Sequence, residues 1–174
     1  MEAQDVFLTI AEISVAFAGF SGVVAVFGRR SPDKWRSGDI LRFWQMIEVS
    51  LSALIFSLLP FILHYIGLPD ASTWATCSAL LAVISSVQMA RAGFRTVKAA
   101  GTDPSIKLGF TIPFLLIGFV IVLFQVGNTV GIVFHRELAP YLIGVFWQLS
   151  LACVLFWRLL KYSDLPNSDL KRNS

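Results

Sequence analysis

Five long apolar runs constrain this chain more than any other feature of its 174 residues. A helix needs about 20 mostly apolar residues to cross a hydrocarbon layer about 30 Å thick. The runs Val6–Gly28, Phe43–Ile66, Ser72–Gly93, Leu108–Phe134 and Tyr141–Leu160 all reach that length. The first alone would cover about 34 Å as a helix. Charged residues make up 14% of the chain and mean hydropathy is +0.71, so little sequence is left to build a polar exterior. The sequence therefore predicts an all-α integral membrane protein, a bundle of about five transmembrane helices in one polytopic domain. Residues 161–174 are read as a polar cytoplasmic tail. The acidic opening MEAQD lacks the basic region of a cleavable signal, so the first run is expected to stay as a membrane helix.

Charge placement sets an expected orientation. Arg29, Arg30, Lys34, Arg36 and Arg42 lie in or beside the first connection, and Arg91, Arg95, Lys98 and Lys107 in or beside the third. Arg158, Lys161, Lys171 and Arg172 close the chain on that same side, and Arg136 alone falls on the other. The bias of basic residues toward cytoplasmic loops then predicts N-terminus out and C-terminus in, in an inner (plasma) membrane. It also removes the nucleic-acid reading of a net charge of +3, because the basic residues are spread as a topological signal rather than gathered on one folded face.

Polar residues inside the runs are the functional candidates. Glu12 would lie roughly 10 Å below the outer boundary, where a carboxylate normally faces a bundle interior or a watery cavity. His64, Gln125, Asn128 and Gln148 are expected in the same leaflet, and with Glu12 they form a candidate ion- or proton-binding vestibule. Toward the basic side, Gln45, Glu48 and Ser52 follow helical spacing, as do Gln88, Arg91 and Arg95. A Glu48–Arg91 ion pair is the expected clamp, with Arg42 as competitor. Ser14, Ala18 and Gly22 form a small-residue face on the first helix, and Gly127 and Gly131 form a GxxxG in the fourth. Both suggest close helix packing within or between chains.

No phosphate-binding glycine loop, nucleophile elbow, HExxH or clustered Cys/His set occurs, so no catalytic residue, metal or cofactor is expected and the chain is not read as an enzyme. Cys77 and Cys153 fall in apolar runs and read as small packing residues. The leading expectation is a small channel- or transporter-like protein using Glu12, partnered by the lipid bilayer and by other copies of itself. The alternative is a non-catalytic assembly subunit bound to another membrane protein. A haem-binding electron carrier ligated through His64 and His135 is a minor one.

Overall fold

The computed structural model describes residues 3–28, 37–101 and 108–163. It contains α1 (Ala3–Gly28), α2 (Ser37–Tyr65), α3 (Asp70–Ala100), α4 (Leu108–Val130) and α5 (Leu138–Ser163). All five are long and apolar enough to cross a membrane. Large apolar side chains point outward around the whole bundle, among them Val15, Phe20, Ile55, Leu116, Phe119 and Phe146. Such a surface is stable against lipid and would associate in water. The protein is thus an all-α, multi-pass membrane bundle of five helices. The basic residues of the connections 29–36 and 102–107, and the tail beyond Ser163, lie outside the described residues.

Helix ends differ from the apolar runs for identifiable reasons. A helix does not stop where hydrophobicity stops: α2 begins at Ser37 rather than Phe43, and α3 continues past Gly93 to Ala100. The 31 residues of α3 cover about 46 Å, well beyond a hydrocarbon layer, and its last turns carry Arg91, Arg95 and Lys98. In contrast α4 ends at Val130, four residues before the apolar run does, because Gly131 takes φ +78 and leaves the helix. The end of α2 is a complete Schellman motif. Leu68 N–H donates to Leu63 C=O, Gly67 N–H donates to His64 C=O, and Gly67 takes φ +93. Pro69 then opens α3, so the α2–α3 turn is short and sharp.

The helices alternate in direction. Helices α2, α3, α4 and α5 form a ring in that order, and α1 packs outside it, mainly against α2 and α5. One end of the bundle, the hairpin end, holds the start of α1 and the α2–α3 and α4–α5 turns. The other, the basic end, holds Arg42, Arg91, Arg95, Lys98 and Arg158. At the hairpin end Phe7, Ile10, Phe56, Cys77, Leu81, Tyr141, Val145 and Leu149 form the main core. Phe7 stacks on Trp74 at 6.4 Å between ring centroids and meets Phe61 edge-on at 6.1 Å.

Pro60 shows how sequence and tertiary structure are coupled here. Lying inside α2, it has no N–H to donate to the carbonyl four residues back, that of Phe56. The Tyr141 hydroxyl of α5, fully buried, donates to that same Phe56 carbonyl. A defect built into one helix is repaired by another, and the repair ties α2 to α5.

Candidate functional site

The five residues expected to line one outer vestibule separate into four environments. Glu12 is exposed on the outward face of α1. Phe7, Ile10, Ala11, Ser14 and Ser21 make the buried face of that helix, and position 12 lies about 100° round from position 11. His64 sits at the α2–α3 turn, where its Nδ1 is 3.4 Å from Asp70 Oδ1, with both side chains more than 70% exposed.

Gln125 and Asn128 share a face of α4 and are fully buried. The Asn128 amide donates to Glu137 C=O and to Ser78 Oγ, each at 2.9 Å, and its Oδ1 accepts from Glu137 N–H at 2.9 Å. The Gln125 amide donates to Pro140 C=O at 2.6 Å. Together they fasten the α4–α5 turn, where His135 (φ 51) and Arg136 (φ 61) both adopt the left-handed conformation that non-glycine residues resist. Gly144 completes this closure. A Cβ there would lie 2.5 Å from Gln125 Nε2 and 2.7 Å from Leu81 Cδ2, and both neighbours are fully buried. The absence of a side chain lets α5 approach α3 and α4 closely and seals the ring at the hairpin end.

Gln148 belongs to a different set. It is 2% exposed, and its amide donates to Ser85 Oγ at 3.0 Å and Gln88 Oε1 at 2.9 Å. Gln88 in turn donates to the Glu48 backbone carbonyl at 3.3 Å, and Arg95 reaches Glu48 Oε1 at 3.3 Å. The expected Glu48–Arg91 pair is therefore a Glu48–Arg95 pair, and Arg91 is exposed. The reason is azimuth. Arg95 stands seven residues, about two turns, from Gln88 and shares its face, whereas Arg91 is rotated about 60° away.

These residues line a partly open cavity of about 150 Å³ between α2, α3, α4 and α5 in the half of the bundle toward the basic end. Leu41, Arg42, Thr111 and Arg158 are its lining residues nearest that end, and Ser85, Gly118, Trp147 and Gln148 line its depth. Gln45, Glu48, Gln88 and Thr96 add polar groups, while Met89, Phe114, Leu115, Leu151, Val154 and Leu155 add apolar ones. Phe114 and Trp147 stack at 6.3 Å with planes 28° apart. Among the described residues, the Gln45 amide, the Thr96 and Thr111 hydroxyls and the Trp147 indole N–H make no side-chain hydrogen bond. The cavity thus combines a polar network on one side, unpaired donors and acceptors around it, and an aromatic wall.

The glycine pairs serve turns and surfaces more than helix contact. A Cβ on Gly127 would touch the Phe134 ring at 3.6 Å, and Gly131 is covered by the Arg136 side chain, 3.1 Å from its Cβ position. Both therefore face the α4–α5 turn. On α1, Ser14 is buried and donates to Ile10 C=O at 2.7 Å, Ala18 is half-buried, and Gly22 is exposed with open space beside it.

Sequence reasoning located the stripes on α2 and α3 but missed Thr96, Thr111, Phe114, Gly118, Trp147 and Arg158 as parts of one site. Thr111, Gly118 and Trp147 lie in ordinary apolar runs, and nothing in their spacing marks them. Among the described residues no group of three His, Cys, Asp or Glu side chains is placed to hold a metal ion. No protein-family model, curated protein or solved structure matches this chain. The class of protein is accordingly defined by the bundle itself: a polytopic helical membrane protein with internal space between four of its helices.

Proposed function

We propose that this protein is a carrier-type membrane protein that takes up a small molecule in the α2–α5 cavity from its basic end, with that end facing the cytoplasm. The observation that carries the reading is the contrast within one ring of helices. Internal space bordered by polar side chains lies toward the basic end, and the Gly144 closure lies toward the hairpin end. A cavity confined to one half of the ring fits binding followed by rearrangement better than a continuous pore. The surplus of basic residues at that end favours the cytoplasmic orientation.

The test is a thermal-shift screen of the purified protein in lipid nanodiscs against small acids, bases and neutral rings, run beside Gly118→Leu. A Cβ on Gly118 would sit 3.5 Å from Met89 Sδ and 3.7 Å from Trp147 Nε1, so a larger side chain there grows into the cavity. A compound that stabilises the wild type but not the variant, and that is accumulated by proteoliposomes, is the expected result. A screen in which no compound separates the two proteins would overturn the reading.

A second reading is favoured by Glu12. A carboxylate on the outward face of a membrane helix is costly against lipid, typically by a few kcal/mol. Burial against another chain removes that cost, so assembly with a second copy or another membrane protein is the alternative role. Glu12→Gln then changes the oligomer distribution on size-exclusion chromatography while leaving ligand stabilisation intact.

A further inference from the structure

Resting on the cavity reading, we infer that the site selects neutral molecules that donate hydrogen bonds, of the primary carboxamide class. Two buried side-chain oxygens carry the inference. Gln148 Oε1 and Gln125 Oε1 are closed off from solvent and have no hydrogen-bond partner among the described residues. Buried polar atoms are nearly always paired, so two orphans of one kind in one region call for a physical account.

Both oxygens are held as acceptors by their neighbours. An amide can be turned end for end where its surroundings suit either atom, and here they do not. The Gln125 nitrogen faces Pro140 C=O at 2.6 Å, and a carbonyl can only accept. The Gln148 nitrogen is fixed through one intermediate. Gln88 donates to the Glu48 backbone carbonyl at 3.3 Å, which turns its own oxygen toward Gln148. The Gln148 nitrogen donates to that oxygen at 2.9 Å and to Ser85 Oγ at 3.0 Å. Each nitrogen is thus engaged and each oxygen unspent.

The two amides are also neighbours. That of Gln125 lies against Gly144, where an added Cβ would meet its Nε2 at 2.5 Å. Gln148 follows Gly144 by four residues, about 6 Å along the same face of α5. Gln148 lines the cavity, so it is the first acceptor in a ligand's path, and Gln125 is the next, one turn closer to the hairpin end. Both oxygens are shut in this arrangement. A ligand reaches them as the wall around Gln148 yields, which ties recognition to the rearrangement of a carrier.

The unspent oxygens define what can bind. An anion would bring its lone pairs against two carbonyl oxygens. A cation would leave water for neutral acceptors, because Glu48, the acidic side chain lining the cavity, is held by Arg95 at 3.3 Å. A ketone or ether would leave both oxygens unpaired. A neutral primary amide carries two N–H donors on one nitrogen and can answer both. The Phe114–Trp147 stack in the same cavity offers a planar body an apolar surface.

The experiment is isothermal titration of the full chain in lipid nanodiscs, with heats into empty nanodiscs subtracted. Four probes share one ring and differ in the head group. Benzamide carries the donors, acetophenone has the same shape without them, and benzoate and benzylammonium bring the two charges. The expected result is saturable benzamide binding, with each other probe weaker by about tenfold or more. Acetophenone is the more apolar of the neutral pair, so partition into lipid works against that outcome. Gln148→Met abolishes the preference for benzamide over acetophenone. Gln88→Met frees the Gln148 amide to turn its nitrogen to the ligand, so acetophenone gains on benzamide. A changed preference, rather than a general loss, separates recognition from misfolding, and the wild-type series decides if a variant does not fold. Acetophenone, benzoate or benzylammonium binding as tightly as benzamide would overturn the assignment, as would an unchanged preference in Gln148→Met. If benzamide fails while another compound is stabilising and is blocked by Gly118→Leu, the carboxamide class is wrong and the cavity reading stands. If no compound is sensitive to Gly118→Leu, both fail.

Discussion

The two halves of the α2–α5 ring use the same residue types for opposite ends. Toward the hairpin end, Gln125 and Asn128 are fully buried and their N–H groups bond Pro140, Glu137 and Ser78, with Gly144 letting the helices close over them and Gln125 Oε1 left without a partner among the described residues. Toward the basic end, Gln45, Gln88 and Gln148 border internal space, and some of the polar groups beside them have no partner among the described residues. A membrane interior gives no hydrophobic reward for helix contact, so association rests on close packing and interhelical hydrogen bonds. Where the helices approach most closely, at Gly144, the bundle is closed. Where packing is left open the polar groups are available to something else.

That contrast can be broken experimentally, most forcefully at the seal. Gly144→Val drives a branched side chain into Leu81 and Gln125, both without free volume, and is expected to destabilise the protein by about 1–3 kcal/mol or more. Thermal denaturation in detergent measures it, and an unchanged midpoint would mean the hairpin end is not close-packed. Next in size, Asn128→Ala strands the Glu137 C=O and the Ser78 hydroxyl and should cost about 1–3 kcal/mol, while the thermal shift produced by a cavity ligand stays the same. A parallel loss of ligand binding would show that the two halves are not separate.

Tyr141→Phe removes the donor that Phe56 C=O receives in place of the missing Pro60 N–H, at an expected cost of about 1 kcal/mol. In a Pro60→Ala background, where α2 regains its own donor, the same substitution should cost measurably less. Additive effects in that double-mutant cycle would disprove the compensation. The smallest effect belongs to the basic end. Glu48→Gln breaks an ion pair whose side chains are 31% and 39% exposed, so its stability cost should stay within about 1 kcal/mol. A cavity ligand that stabilises the wild type should stabilise this variant as well, and a lost thermal shift would point to Glu48 as a ligand group.

The candidate site was only partly legible because depth and direction are separate quantities. Counting residues from a helix end gives depth, and on that measure Glu12, His64, Gln125, Asn128 and Gln148 share a layer. Direction depends on which face the neighbours bury, and the buried face of α1 turns Glu12 outward while the Schellman turn holds His64 at the surface. The same gap explains Arg95 in place of Arg91: depth favours one, the azimuth of Gln88 the other. Gln148 joins Ser85 and Gln88 rather than Gln125 and Asn128 because it lies near the middle of α5, where a small shift of the helix start changes the leaflet.

The sequence by itself determined that the chain crosses a membrane, with five helices joined by short connections. Uninterrupted apolar length is a local property and leaves no alternative in lipid. Which polar groups meet, that the α5 tyrosine answers the α2 proline, and that four helices enclose a cavity at one end while closing at the other were decided by tertiary packing. Those outcomes depend on the relative rotation of helices far apart in the chain, and a rotation of one residue, about 100°, is invisible to hydropathy yet redirects every side chain.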